Sequence, residues 1–183
     1  MKKGVTMKGM ATSLSVFVMV IVLSVSARGA LVDMHDGTIY DTVTQLSWLQ
    51  DAGSGGRKTW DQAVAWAASL NANGGFAALT GWRLPNADPA CSMGGNCANS
   101  EMGHLYYAEL RKTAGESLTS TGPFANLQTS LYWSGTEYAP NVDLAWVFYF
   151  HSGNQYVYRK SNDFYAWAVR PGVRSQETTV PGR

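Results

Sequence analysis

Cysteine is scarce in this chain: Cys91 and Cys97 are the only two among 183 residues, and histidine occurs three times. A framework of several disulfides is thereby excluded, as is a zinc module built on four cysteines. One Glu-x-x-His pair, Glu101 and His104, is present, whereas di-metal bundles need that motif twice with further carboxylates. No metal site is expected. Concentrated positive charge is missing too. Lysine and arginine number 14 against 13 acidic residues, and no basic run follows the N-terminal segment. A nucleic-acid partner requires a basic surface, so that class is set aside, and a polyanionic glycan is disfavoured for the same reason. No Ser-His-Asp order, phosphate-cradling glycine loop or paired-carboxylate arrangement occurs, so no catalytic residue is assigned. Internal repeats and low-complexity tracts are absent.

Only one hydrophobic run is prominent, and it stands at the start. MKKGVTMKGMATSLSVFVMVIVLSVSARGA places Lys2, Lys3 and Lys8 before an apolar stretch from Leu14 to Leu23. The small residues Val25-Ser26-Ala27 follow. This is the layout of a secretory signal peptide. The run is much shorter than the roughly 20 apolar residues a spanning helix needs. The expected organisation is a signal peptide over 1–27, a single domain over 28–174 and a loose polar tail over 175–183. Removing Lys2, Lys3 and Lys8 leaves 11 basic against 13 acidic side chains, a net charge of about −2. The mature form should lack a membrane span and be secreted or periplasmic. Val180-Pro181 is followed only by Gly182-Arg183, so an anchoring segment is not expected.

The remaining chain shows two periodicities. Residues 37–49 are rich in β-branched and aromatic side chains and read as one or two short strands. Thr59 with Gln62 three residues later forms a capping box, and Trp60, Ala63, Val64, Ala67 and Leu70 follow helical spacing. Asn73-Gly74-Gly75 ends that helix. A short apolar segment runs from Phe76 to Leu84. A second helix is expected after Asn99-Ser100, with Met102, Leu105, Tyr106 and Leu110 as its buried stripe and Gly115 as its stop. Ser117 to Ser130 is a long polar loop. From Leu131 the segments LYWSGTEY, LAWVFYFHS, QYVYRKS and FYAWAVRP read as an antiparallel meander. Residues 145–150 are apolar on both faces, which marks a central strand. The fold class is therefore α+β. All seven tryptophans lie after Leu31; each alone suits a core, and seven leave room for one or two at a binding surface.

Several segments carry a family resemblance in their order. They are Leu46-Ser47-Trp48-Leu49, Thr59-Trp60 with Ala63 and Trp66, and Gly81-Trp82-Arg83-Leu84-Pro85-Asn86. The helix with Glu109-Leu110, Tyr132-Trp133-Ser134-Gly135-Thr136 and Ala168-Val169-Arg170-Pro171 complete the set. In this order the chain resembles the Lcl C-terminal domain family, named after a domain of a bacterial collagen-like adhesin. The resemblance implies a C-type-lectin-like domain, with paired terminal strands, two helices flanking an antiparallel sheet and a long loop region that carries ligands. It implies adhesion or carbohydrate binding, with a glycan or an extracellular or surface protein as partner.

Cys91 and Cys97 are read as a structural disulfide, since an exported chain meets an oxidising environment. The other reading is a reactive Cys91 on a fold like that of formylglycine-generating enzymes. It requires a base or cationic neighbour to lower the thiol pKa, and none precedes His104. A third reading is an architectural component of an extracellular matrix. His104 is read as packing or hydrogen-bonding at the helix surface. Arg83 and Arg170 stand in apolar strings and should pair with buried carboxylates such as Glu101 or Glu109. The ligand-binding residues are expected in the loops: Trp133, Glu137, Tyr138, Asn141, Asp143, Asn162, Asp163 and Phe164, together with the 117–130 loop. Tyr138 and Phe164 are the stacking candidates. No cofactor is assigned; calcium is the one ion these oxygen-bearing loops admit, although Asn and Asp also simply favour turns.

Overall fold

Two small sheets share one aromatic core. The computed structural model of the protein describes residues 31–172, so the expected signal peptide and polar tail lie outside the described residues. In chain order the elements are Leu31–Asp33 (β1), Thr38–Asp41 (β2), Leu46–Leu49 (β3), Arg57–Lys58 (β4), Trp60–Ser69 (α1), Glu101–His104 (α2), Leu131–Glu137 (β5), Leu144–Tyr149 (β6), Asn154–Arg159 (β7), Phe164–Tyr165 (β8) and Val169–Pro171 (β9). The first sheet has the order β1-β2-β3-β9 and is antiparallel throughout. The second has the order β4-β8-β5-β6-β7. The fold is a sheet-rich α+β arrangement with two short helices. Among the described residues no helix is long and apolar enough to cross a membrane.

Helix α1 forms where the capping box placed it. The Gln62 carboxamide oxygen accepts from the Thr59 N–H at 3.2 Å. Trp60, Ala63 and Ala67 are buried, while Val64 is 38% exposed, so the buried stripe is narrower than its spacing implied. Helix α2 is only one turn long. Ser100 caps it by accepting from Gly103 N–H at 3.0 Å, and a π-helical turn, Leu105–Glu109, continues it. The helix therefore stops at Leu110, short of Gly115, and Arg111 follows with φ +54°. The apolar segment at 76–84 is not a strand: its first part is a 3-10 turn, Phe76–Ala78, and only Arg83 bridges to Val169.

Strand β6 lies between β5 and β7, and Ala145, Trp146, Val147 and Phe148 are all buried. The two-faced apolar pattern thus marks the middle of the sheet. FYAWAVRP does not form one strand. Tyr165 pairs parallel with Tyr132, Ala166 then donates to the Gly56 carbonyl at 3.0 Å, and the chain re-enters the first sheet as β9. Small residues make the crossing feasible: Ala166 and Ala168 are fully buried, and a Cβ on Gly55 would collide with the Ala166 carbonyl. Trp167 sits at the crossing. Its indole N–H donates to the Leu49 carbonyl at 2.8 Å. Its ring contacts Trp48 and Phe124 with centroids 4.7 and 4.8 Å away, and Tyr132 at 6.0 Å. One side chain thereby links both sheets and the 117–130 loop. Full burial of an aromatic of this size contributes roughly 4–6 kcal/mol of transfer free energy. Six tryptophans are buried and Trp66 is half-buried.

Candidate functional site between the disulfide loop and the β5–β6 turn

Cys91 and Cys97 are bonded, with their Cα atoms 5.6 Å apart. The small ring does not stand free of the sheet. Gln155 of β7 is buried, and its side chain reads the backbone of the loop: Asp88 N–H donates to its Oε1 at 3.0 Å, and its Nε2 donates to the Asp88 carbonyl at 2.8 Å. Gly94 and Gln155 also exchange backbone hydrogen bonds of 2.8 and 2.7 Å. A buried amide with both ends satisfied holds its partner in one place. The loop therefore carries Ser92 and the 52% exposed Met93 on a fixed rim.

The opposite rim comes from the end of β5. The register of β5 against β6 shifts between Trp133 and Glu137, and Gly135 N–H leaves the ladder to donate to the Pro85 carbonyl. Such bulges re-aim the side chains that follow. Tyr138 then lies edge-on to Trp146, with centroids 5.6 Å apart. The turn closes on Asn141, whose side-chain oxygen accepts from Asp143 N–H at 3.0 Å. Between the rims runs a groove of about 440 Å³, lined by Pro89, Ser92, Met93, Glu137, Tyr138, Ala139, Pro140 and Trp146. Its walls are mostly apolar, with Glu137 at one end.

Glu137 is paired with Lys160 at 2.9 Å, and the Lys160 ammonium lies 4.1 Å above the Trp60 ring. Beyond this pair a polar depression of about 490 Å³ is lined by Thr59, Asp61, Asp143, Arg159, Lys160 and Ser161. Glu137, Tyr138 and Asp143 thus border two adjoining hollows. The other expected ligand residues have structural partners. Trp133 is fully buried and donates its indole N–H to the Lys58 carbonyl at 2.9 Å. Phe164 packs between Trp133 and Tyr158. Asn162 donates its amide to the Arg159 carbonyl at 3.0 Å, and the Asp163 carbonyl accepts from Arg57. The 117–130 loop does not line the groove. Phe124 and Leu127 anchor it in the core.

Arg83 pairs as expected, donating to both Glu101 oxygens at 2.8 and 2.7 Å. Arg170 does not meet a carboxylate in a salt bridge; its Nε donates to the Thr80 carbonyl at 2.7 Å, and burial lowers its pKa.

Sequence reasoning missed a second constellation. His104 meets two carboxylates other than Glu101. Its Nε2 is 3.2 Å from Oδ2 of Asp41 and 3.4 Å from Oε1 of Glu109. Asp41 is fully buried at the end of β2, and its Oδ1 accepts from Val43 and Thr44 N–H. The nearby Asp41 carboxylate, followed by the charge of Glu109, raises the His104 pKa against the effect of burial. Burial, and then the Asp41 charge, raises that of Glu109. For Asp41, burial acts upward, yet the His104 contact and the Thr44 and Val43 donors together bring its pKa below the usual value. His104 and Glu109 open onto a cavity of about 680 Å³ beside Arg111, Gly122 and Pro123. Asp41 reads locally as a turn residue, 63 positions before His104, so no sequence signal joined them.

These features define a sheet-rich α+β domain with a loop-built groove on one flank and a buried carboxylate–histidine cluster elsewhere. The chain belongs to the Lcl C-terminal domain family, whose model matches residues 37–170. No curated protein and no solved structure matches it. The segments that carry the family pattern are mostly scaffold. Trp82, Leu84, Trp133, Ser134, Ala168 and Val169 are buried, whereas Met93, Ala139 and Pro140 of the groove fall between them.

Proposed function

We propose that the chain is an exported, C-type-lectin-like binding domain that recognises a glycan or a surface protein and performs no chemistry on it. One observation carries this reading: a disulfide-bearing loop and the β5–β6 turn, distant in sequence, are locked to the same sheet and leave an apolar groove with an ion pair at its end. Aromatic and apolar side chains beside a few placed polar groups are the usual make-up of a recognition surface. Tyr138, Met93 and Pro140 supply contact area, and Glu137 with Lys160 supplies orientation. Export fits the disulfide, which persists in oxidising compartments. The reading with a reactive Cys91 needs a free thiol, and the Cys91–Cys97 bond weighs against it.

The test is a glycan array together with a pull-down on extracellular-matrix proteins, each run with the unaltered chain and with Tyr138→Ala. Binding that falls at least tenfold in the variant, with an unchanged melting temperature, supports the proposal. Empty results in both assays for the unaltered chain remove it.

A further inference from the structure

We propose that Asp41, His104 and Glu109 form a binding site for one divalent transition-metal ion of the zinc class. The site is independent of the groove. It begins with the π-turn. Around an α-helix, residues five apart stand about 140° away from each other, so His104 and Glu109 would diverge. Here Leu110 N–H donates to the Leu105 carbonyl at 2.8 Å, the i→i+5 bond of a π-turn. The extra residue brings Glu109 round to the His104 face. Such turns are rare and are found frequently at functional sites. Asp41 reaches the same point from β2, held by its turn at Val43 and Thr44.

The geometry suits a cation better than a proton. Asp41 is 0% exposed, and its Oδ2 accepts no hydrogen bond within good angles; His104 Nε2 likewise makes none. A single Nε2–H cannot point at both carboxylates, and here it points squarely at neither. Two buried polar atoms left in this state are costly. A metal ion resolves them together. Zinc held tetrahedrally at about 2.1 Å sets its ligand atoms roughly 3.4 Å apart. The two edges from Nε2 measure 3.2 and 3.4 Å, and all three ligand atoms lie within 4.8 Å of one another. The third edge closes by rotation of Glu109, whose side chain borders the cavity. One imidazole with two carboxylates favours zinc and its neighbours over calcium, which takes six to eight oxygens. Three protein ligands leave a fourth position open, facing the cavity and available to water.

The experiment uses the untagged, exported chain stripped with chelator and titrated with zinc chloride by calorimetry. The expected result is uptake of one zinc per chain, a raised melting temperature, and at least tenfold weaker binding in both His104→Gln and Glu109→Gln. The chain has three histidines, so imidazole NMR of the unaltered protein gives a second readout independent of variant folding. His104 signals should shift with the first equivalent of zinc, before those of His35 and His151. Absence of saturable uptake overturns the site. So does uptake that shifts His35 or His151 first, or that survives both substitutions.

Discussion

Removing the disulfide by Cys91→Ser with Cys97→Ser tests how the groove is held. The bond closes a ring with a sequence separation of 6. Loop-closure entropy for so small a ring amounts to about 2 kcal/mol. The native state should survive the change, because the Gln155 side chain and the Gly94–Gln155 backbone pair continue to hold the loop. The Cys97 Sγ lies 3.4 Å from the Ser92 carbonyl, so a hydroxyl there has an acceptor at hand. The domain should therefore melt about 4–8 °C lower, the shift that about 2 kcal/mol gives at this chain length. Urea unfolding followed by tryptophan fluorescence should show a lower midpoint at an unchanged slope. A melt unchanged within 1 °C would refute the loop-entropy argument. Complete unfolding would refute the claim that Gln155 anchors the loop on its own.

Other consequences follow from the core and its ion pairs. Burial pushes the Tyr132 hydroxyl above the usual phenol range; the unfolded chain then loses a proton near pH 10 while the folded chain keeps it. Stability from this group is complete below pH 10 and falls by about 1.4 kcal/mol per unit above it. Tyr132→Phe should flatten the alkaline limb of a stability–pH curve by that amount, and an unchanged slope would count against the assignment. Gly153 has φ +74°, and a Cβ there would strike the Tyr106 ring; Gly153→Ala should cost roughly 2–4 kcal/mol in urea unfolding from strain and overpacking. Arg83→Lys should lose about 1–2 kcal/mol despite keeping its charge, because the fork that meets both Glu101 oxygens is lost. Equal midpoints for Arg83 and lysine would show that the bidentate contact is unimportant.

Much of the scaffold was legible because it rests on local rules. The Thr59–Gln62 box started α1, and the unbroken apolar run at 145–150 marked the middle of a sheet. The Lcl C-terminal pattern was readable for the same reason, since its tryptophans and its Arg83 build the core and its edges. Expectations failed where one segment answers to two partners. FYAWAVRP has the period of a single strand, yet Ala166 and Ala168 let it cross between sheets at Trp167. Trp133 was expected among the ligand-binding residues, yet its indole N–H finds the Lys58 carbonyl inside the core.

The sequence by itself determined the α+β class, the pairing of its two cysteines and the loops in which Glu137, Tyr138 and Asp143 would stand. Those follow from spacing, turn chemistry and elimination, all of which act over a few residues. Only the tertiary structure decided that Gln155 would fasten the disulfide loop opposite Tyr138, and that a π-turn would swing Glu109 beside His104 over Asp41. Both depend on contacts between residues far apart in the chain, where a bulge or one extra residue in a helical turn redirects a side chain without leaving a periodic trace.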